Sequence, residues 1–312
     1  MQRILLSTLA CTMLCLGCGT NAPQNKEQQT EDHTSDMSNE RASELLSGFI
    51  TAFGGAWENG DPEGIAETFT EDGIRVIGGA QEVFNGRASI AASFGGVQDG
   101  EPLQNTRVEI VTTDARFVSE DLVIGCGYFK ILNETNEILS EGKWGNTYRL
   151  EGDELLMLME SAYRSSDAVD EVANANAVQK LQPNWDCGGS LACAQVAANV
   201  AAFVSSFNAE SPNELSMLFR EDGIRSVSEL SKIALGRESI LETFQSAGGG
   251  VLSADMKGFR DVGNNLAVAH GQWKISDGKG GVAAFGQWGN IFETSETNAR
   301  LVMESAGRFL VD

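Results

Sequence analysis

The sequence predicts an α+β fold that occurs twice in one chain, with helices packed on one face of a curved antiparallel sheet. The first observation is a repeat: FTEDGIR at Phe69–Arg75 returns as FREDGIR at Phe219–Arg225, 150 positions later. Later blocks return 144 positions apart, among them the Trp-Gly-Asn that begins at Trp144 and again at Trp288. In each copy, helical periodicity comes before alternating, strand-like segments. This spacing is far longer than a solenoid repeat, so it indicates two whole globular domains.

Three helices are predicted in each copy. The first carries an apolar stripe at helical spacing. The second begins at a capping residue followed by proline, as in Asp61-Pro62 and Ser211-Pro212, and the Glu-Asp-Gly of the repeat is predicted to end it. The glycine there, Gly73 or Gly223, is expected to take a positive φ. The third helix follows a Gly-Arg pair. The stripe residues of the first helix are Leu46, Phe49, Ile50, Phe53 and Trp57 in copy one and Val196, Val200, Phe203 and Phe207 in copy two.

Alternating segments after the third helix predict a meander of four strands in each copy. A short strand, Ile74–Ile77 or Ile224–Val227, is predicted before the third helix. The predicted meander strands are Val108–Val118, Leu122–Ile131, Ser140–Leu150 and Leu155–Arg164, followed in copy two by Met256–Arg260, Leu266–Ile275, Val282–Phe292 and Arg300–Leu310.

The charge balance limits the kinds of partner. There are 44 acidic and 22 basic side chains, a formal net charge of −22, and no cluster of lysine or arginine. Such a surface repels phosphate backbones and anionic lipid headgroups. We therefore expect no nucleic-acid partner, and a membrane contact only through an N-terminal lipid.

The N-terminus predicts export. Residues 1–18 combine Arg3 with the apolar run Ile4–Gly17, which is too short for a spanning helix but typical of a signal peptide. The segment ends in Leu-Gly-Cys at Cys18, which resembles a bacterial lipobox and implies a lipidated, outer-membrane-anchored protein of the cell envelope. Secretion with cleavage elsewhere is the alternative. Residues 19–42 have the composition of a disordered tether.

Three cysteines lie beyond the signal. Cys187 and Cys193 fall in the predicted connector, residues 166–193, and in an exported protein their spacing predicts a disulfide. A metal site is the alternative, although no histidine or third cysteine accompanies them, and we predict neither a metal nor a cofactor. Cys126 lies in a predicted strand and is expected to be a buried free thiol.

The order of these motifs resembles the SnoaL-like and ketosteroid-isomerase-like domains of the nuclear transport factor 2-like superfamily. The resemblance covers residues 43–165 and 194–312, and it rests on Phe-x-x-Asp-Gly before a strand, Gly-Arg-x-x-Ile opening the third helix, and the meander. It implies two cone-shaped domains, each with three helices closing over a bent sheet around an apolar pocket. Because many members of the family dimerise through the sheet, it also implies an intramolecular pseudo-dimer.

The resemblance does not extend to the isomerase chemistry. The position of its carboxylate base corresponds to Ile77 and Val227, which cannot accept a proton. The position of its tyrosine donor corresponds to Phe53 and Phe203, which cannot donate one. The sequence therefore favours a domain that does not catalyse isomerisation, while cyclases of the SnoaL type use a differently placed base.

A polar and aromatic pocket lining remains. Alternation along a strand places Trp144, Asn146 and Tyr148 on one face, and it does the same for Trp288, Asn290 and Phe292. The second oxyanion position of the isomerases corresponds to Asn146 and Asn290. In the alternative interpretation tryptophan fills the cone, asparagine bonds to backbone, and glutamate pairs with arginine. Arg75 and Arg225 are interpreted as partners in salt bridges at the rim. The predicted pocket residues are Phe53, Trp57, Trp144, Asn146, Tyr148, Phe203, Trp288 and Asn290.

Three hypotheses about function follow. The first is non-catalytic binding of a small molecule with both apolar and polar parts in a cone pocket. The second is an enzyme of the cyclase, isomerase or hydrolase type, with Glu160, Glu304 or His270 as the acid or base. The third is an interaction module of the cell envelope. The facing of both glutamates is open, because hairpin length shifts the parity of the last strand.

Overall fold

A computed structural model describes residues 37–309, apart from 79–81, 96, 99–100, 166–180, 182–184, 246–248, 278 and 280. The predicted signal peptide, Cys18 and most of the tether and connector lie outside the described residues. Each copy forms a domain with helices on one face of a sheet, so the α+β architecture is confirmed.

The first domain begins with a long helix. In the sequence, its second helix comes before the first strand and its third helix after it. The elements are α1 (Asn39–Glu58), α2 (Pro62–Glu67), β1 (Phe69–Ile77), β2 (Phe84–Asn85), α3 (Arg87–Phe94), β3 (Val97–Gln98), β4 (Glu101–Pro102), a 3-10 turn (Leu103–Asn105), β5 (Thr106–Ser119), β6 (Leu122–Asn133), β7 (Ile138–Glu151) and β8 (Glu154–Arg164).

The second domain repeats this order. Its elements are α4 (Leu191–Asn208), α5 (Pro212–Met217), β9 (Phe219–Val227), β10 (Ala234–Leu235), α6 (Arg237–Gln245), β11 (Val251–Ala254), β12 (Gly258–Gly263), β13 (Leu266–Ser276), β14 (Val282–Thr294) and β15 (Ala299–Arg308). The strand predicted over Met256–Arg260 corresponds to β12, which begins two residues later; β11 precedes the predicted range, and Met256 lies buried between the two strands.

The sheets are mixed. The four meander strands of the first domain are antiparallel, and β1 joins them parallel to β8, giving the order β2-β1-β8-β7-β6-β5. In the second domain β9 lies parallel to β15 in the same way. The antiparallel meander that the sequence predicts is therefore confirmed in the first domain. The short strand before the third helix adds to it in parallel, because the chain crosses to the far edge of the sheet and returns before β8 pairs with β1.

The Glu-Asp-Gly of the repeat is part of a strand, so the prediction that it ends a helix was wrong. The β1 strand already begins at Phe69, and its register with β8 shifts between Phe69 and Ile74. Gly73 does not adopt a positive φ; a β-carbon there would lie 3.0 Å from Cβ of Phe69, so glycine relieves crowding at the bulge. Positive φ occurs instead at Gly86, where α3 begins.

Helix α1 begins at Asn39, inside the segment predicted as tether. The side chain of Ser38 accepts a hydrogen bond from the backbone N–H of Arg41, and Glu40 lies in the first turn. The second domain begins with α4, the one described helix long and apolar enough to span a membrane, with a mean hydropathy of 1.3. Its inner face contributes Cys193, Val196 and Val200 to the apolar core of its domain.

A disulfide joins Cys187, just before α4, to Cys193 in the first turn of that helix. Ser190, which lies between them, caps the helix by accepting a hydrogen bond from the N–H of Cys193. The loop that leads into the second domain is therefore closed by a covalent bond and a helix cap. Cys126 is a buried free thiol, and burial raises its pKa to about 12.

The outer faces of the two sheets share an apolar core. Its first-domain members are Ile74, Val76, Leu122, Ile124, Cys126, Leu158, Met159 and Tyr163; its second-domain members are Ile224, Ile233, Val262, Leu266, Val268, Ile291, Val302 and Met303. Most of these side chains are fully buried, and burial of this kind is the main stabilising term in protein association.

Contacts between the two domains are reciprocal, as a two-fold interface requires. Arg260 of the second domain pairs with Asp72 of the first, with 3.1 Å between Nη1 and Oδ2. Its counterpart Arg116 pairs with Asp222, the counterpart of Asp72, and donates to the backbone oxygen of that residue. The aspartate of the repeated motif therefore lies at the contact between domains.

Candidate functional site

A cavity of about 430 Å³ lies inside the second cone, between α4 and the concave face of the sheet. This volume is within the range of small-molecule pockets. Five aromatic side chains line it: Phe203, Phe207, Trp273, Trp288 and Phe292.

Strand alternation brings the predicted β14 residues into this cavity. Trp288, Asn290 and Phe292 are spaced by two along one strand, so all three side chains point to the concave face. Glu304 on the neighbouring β15 also points into the cavity, which settles the facing that hairpin length left open in the sequence.

Polar groups form a row across three adjacent strands at the cavity floor. Glu304 pairs directly with Arg225 in the parallel β9–β15 register. On the other side of Glu304, β14 runs antiparallel to β15, with Trp288 paired with Ala306 and Ile291 with Met303. This register places Asn290 opposite Glu304. The order along the row is therefore asparagine, glutamate, arginine.

Arg225 and Glu304 form a buried ion pair, with 2.7 Å between Nε and Oε2. The arginine also donates from Nη1 to the hydroxyl of Thr243 at 2.8 Å, and its guanidinium carbon lies 4.0 Å from the centroid of the Phe244 ring. The interpretation of Arg225 as a salt-bridge partner is therefore confirmed, but its placement at the rim was wrong, because the residue is 8% exposed.

Each member of the row has one group left over. Arg225 uses Nε and Nη1, so Nη2 has no hydrogen-bond partner among the described residues. Glu304 accepts through Oε2, and its Oε1 likewise has no hydrogen-bond partner among the described residues. Asn290 accepts from the backbone N–H of Ser305 at 2.9 Å, and its Nδ2 has no partner in the described part of the chain. The row thus presents a donor, an acceptor and a donor.

The cavity is electrically balanced. Its four charged side chains form two ion pairs, and the second joins Arg308 to Glu229 with 3.0 Å between Nε and Oε1. A charged ligand would lose its hydration in this cavity without finding an unpaired countercharge. The cavity therefore suits an uncharged molecule.

The first domain has the same ion pair. Arg75 bonds to Glu160 with 2.7 Å between Nε and Oε2, donates to the hydroxyl of Ser93, and lies 3.6 Å from the Phe94 ring centroid. Arg75 is 4% exposed, so it too lies inside the domain and not at the rim.

The amide nitrogen of the first-domain asparagine has a partner within its own domain. Oδ1 of Asn146 accepts from the N–H of Ser161, as in the second domain, but its Nδ2 donates to the hydroxyl of Tyr148 at 3.2 Å. The second domain has Phe292 in place of that tyrosine, which is why the amide of Asn290 faces the cavity unpaired.

Aromatic rings pack against one another in the interior of the first domain. Phe53 and Trp57, both predicted pocket residues, contact each other and Phe94, with centroid distances of 5.8 to 6.3 Å. Phe49 contacts Tyr148 edge to face at 4.8 Å. Trp144 is 4% exposed, and its indole N–H donates to the backbone oxygen of Tyr128. The predicted pocket residues of this domain are therefore packed against one another.

The two copies differ in side-chain size around the cavity, in both directions. The second domain has the smaller residue at some equivalent positions: Asn199 for Phe49, Phe207 for Trp57, Ala254 for Ile110, Ala267 for Val123 and Ala299 for Leu155. It has the larger residue at others that line the cavity, such as Val204 for Gly54 and Trp273 for Phe129. Asn199, Phe207, Leu252 and Ala254 line the cavity. The sequence analysis missed Arg225, Asn199 and Ala254; an aligned comparison of residue volumes in the two copies would have found the last two.

His270 does not line the cavity. It pairs with Gly289 across β13 and β14, and Gly289 lies between Trp288 and Asn290 on the opposite face of the sheet. Its ring lies over Gly258, where a β-carbon would come 2.1 Å from Nε2. Burial lowers the pKa of His270 to about 4. The prediction of this residue as the acid or base of the pocket was wrong.

Each domain therefore has the nuclear transport factor 2-like, or cystatin-like, fold, and the chain is a tandem pair of such domains. No family model matches the sequence, and no curated protein matches it.

Among solved structures, the chain is similar to a cystatin-like domain of unknown function from Nostoc punctiforme (TM-score 0.35, 17% identity, covering 41% of this chain and 80% of that one). It is also similar to a nuclear transport factor 2-like protein from Novosphingobium aromaticivorans (0.35, 18%, 45% and 91%). A third is a ketosteroid isomerase-like protein from Erwinia carotovora (0.33, 14%, 41% and 99%). Similarity at this level carries no statement about function.

Proposed function

We propose that this protein is an exported, lipid-anchored binding protein that holds an uncharged small molecule in its second domain without transforming it. The observation that carries the proposal is the balanced, aromatic-walled cavity of about 430 Å³, whose floor has hydrogen-bonding groups without partners. Buried polar groups are normally paired, so unpaired groups that line a cavity favour a ligand that pairs them.

The first domain has a structural role in this proposal. Its interior is occupied by its own aromatic side chains, and its sheet covers the outer face of the second sheet. The two domains then act as a pseudo-dimer with one binding site. Export and anchoring rest on the apolar run Ile4–Gly17 and the lipobox-like end at Cys18. Labelling of cells with a palmitate analogue tests the anchor: a Cys18→Ser variant that is labelled like the wild type would refute it.

A fluorescence titration tests the binding proposal. A neutral, environment-sensitive naphthalene dye such as prodan is added to the full mature chain and to an Ala254→Trp variant, whose indole blocks the cavity. Ile110→Trp in the first domain is the matched control. We expect saturable binding that the second-domain variant loses and the control keeps. Equal binding by all three proteins would contradict the proposal.

One observation favours an enzyme as the second candidate. Glu304 lines the cavity with Oε1 free, so it is within reach of a bound molecule. Against this, its other oxygen is held by Arg225, and the isomerase base position is Val227, which belongs to the apolar core. Incubation with bound compounds followed by mass spectrometry separates the candidates: product that disappears in Glu304→Gln would establish the enzyme.

A further inference from the structure

The floor of the second cavity has an ordered pattern of hydrogen-bonding groups. Across β14, β15 and β9 it presents Nδ2 of Asn290, Oε1 of Glu304 and Nη2 of Arg225, which are a donor, an acceptor and a donor. None of the three groups has a hydrogen-bond partner among the described residues. All three side chains line the cavity.

The three groups are held in place by their other hydrogen bonds. Asn290 cannot turn its oxygen to the cavity, because that oxygen accepts from Ser305 N–H and an amide nitrogen there would face another donor. Arg225 is fixed by Glu304, by the hydroxyl of Thr243 and by the Phe244 ring. The donor–acceptor–donor order is therefore a fixed property of the folded domain.

We propose that the ligand of this cavity is a flat, uncharged ring system with an imide-type edge, in which one N–H lies between two carbonyl groups. This inference rests on the proposed binding function and names the chemical class of the ligand. The ligand N–H donates to the carboxylate of Glu304, and its carbonyl oxygens accept from Asn290 and Arg225. Its rings pack against the tryptophan and phenylalanine walls.

Charge favours an imide over a carboxylic acid or an amine. The two ion pairs of the cavity leave no net charge to hold an anion or a cation. An imide satisfies an ionised carboxylate with a neutral N–H, which is among the stronger hydrogen bonds in proteins. A carbonyl compound without the N–H would leave Oε1 of Glu304 buried and unpaired beneath the ligand.

Two planar three-ring compounds test the proposal. 1,8-Naphthalimide has the imide edge, and phenalenone has a similar outline with one carbonyl and no N–H. Loss of one hydrogen bond to a charged acceptor corresponds to about tenfold or more in affinity. We expect naphthalimide to bind the mature protein at least about tenfold more tightly than phenalenone, measured by calorimetry.

The duplicated domain supplies a matched pair of variants. Arg225→Met with Glu304→Met removes two of the three members of the row by replacing the ion pair with apolar side chains, a change that buried pairs often tolerate. Arg75→Met with Glu160→Met makes the same change in the first domain. We expect the preference for naphthalimide to fall to about one in the second-domain variant and to persist in the first-domain variant.

The outcomes separate this inference from the binding proposal. Equal affinity for the two compounds in the wild type overturns the imide assignment even if the second-domain variant fails to fold. A preference that survives in a folded second-domain variant also overturns it. If neither compound binds but prodan does, the imide assignment fails and the binding function stands. If nothing binds, including prodan, both fail.

Discussion

Removal of one methionine from the core shared by the two domains should destabilise both of them. Met303 is fully buried on β15, and its sulfur lies so close to Gly145 of the first domain that a β-carbon on that glycine would be 3.1 Å away. Met303→Ala removes about 2 kcal/mol of transfer free energy. A residual cavity of roughly 60 Å³ adds about 1.5 kcal/mol at about 24 cal/mol per Å³. The expected loss of unfolding free energy is about 3.5 kcal/mol, or a fall in Tm of about 7 to 14 °C.

Hydrogen exchange with mass spectrometry reports each domain separately. If the shared core makes one cooperative unit, strands of both domains lose about the same protection in Met303→Ala. The reciprocal variant Met159→Ala, at the equivalent buried position, should give the same result. Met217 is 55% exposed, so Met217→Ala serves as a control with a change within about 0.5 kcal/mol. Loss of protection confined to the second domain in Met303→Ala would refute a cooperative pseudo-dimer.

Three further predictions concern single side chains. Ala254→Ile places the first-domain residue in the cavity wall. We expect it to raise the unfolding free energy by about 1 kcal/mol and to weaken the binding of prodan. Unchanged binding would argue against the cavity as the site. Thr147 has a buried hydroxyl without a hydrogen-bond partner in the described structure, so Thr147→Val should raise the unfolding free energy by about 1 kcal/mol in urea titrations, and a decrease would show that the hydroxyl is paired. Burial lowers the pKa of His270 to about 4, so the unfolded state takes up the proton first as the pH falls. The unfolding free energy should therefore drop by up to about 3 kcal/mol between pH 6.5 and pH 4. His270→Cys should flatten this part of the curve of unfolding free energy against pH, and an equal slope would contradict the assigned burial.

Local patterns predicted most of the fold. The stripe of α1, the Asp-Pro start of α2 and the alternation of the meander each involve residues close in the sequence, so their physical causes can be read locally. The Phe-x-x-Asp-Gly motif was placed wrongly at a helix end, because the position of its glycine depends on a strand pairing that is distant in the sequence. That glycine makes room for a bulge, and the bulge exists because β1 pairs with β8, a strand about 85 residues further along the chain.

The candidate site was predicted only in part. Alternation placed Trp288 and Asn290 on one face from sequence alone. It could not show that Arg225 joins them, because the row depends on the pairing of three strands distant in the sequence. It also could not separate His270 from the site, because the side of the sheet that a strand presents to the helices depends on the register of its neighbours.

By itself, the sequence determined that one α+β domain occurs twice, with its helices, turns and strands in the same order in both copies. The tertiary structure decided where the residue differences between the two copies come together. In the second cone, reductions in side-chain size such as Ala254 for Ile110 and Asn199 for Phe49 come together at the cavity wall after folding. Packing volume is a sum over neighbours in space, and those neighbours are known only when the strands have paired.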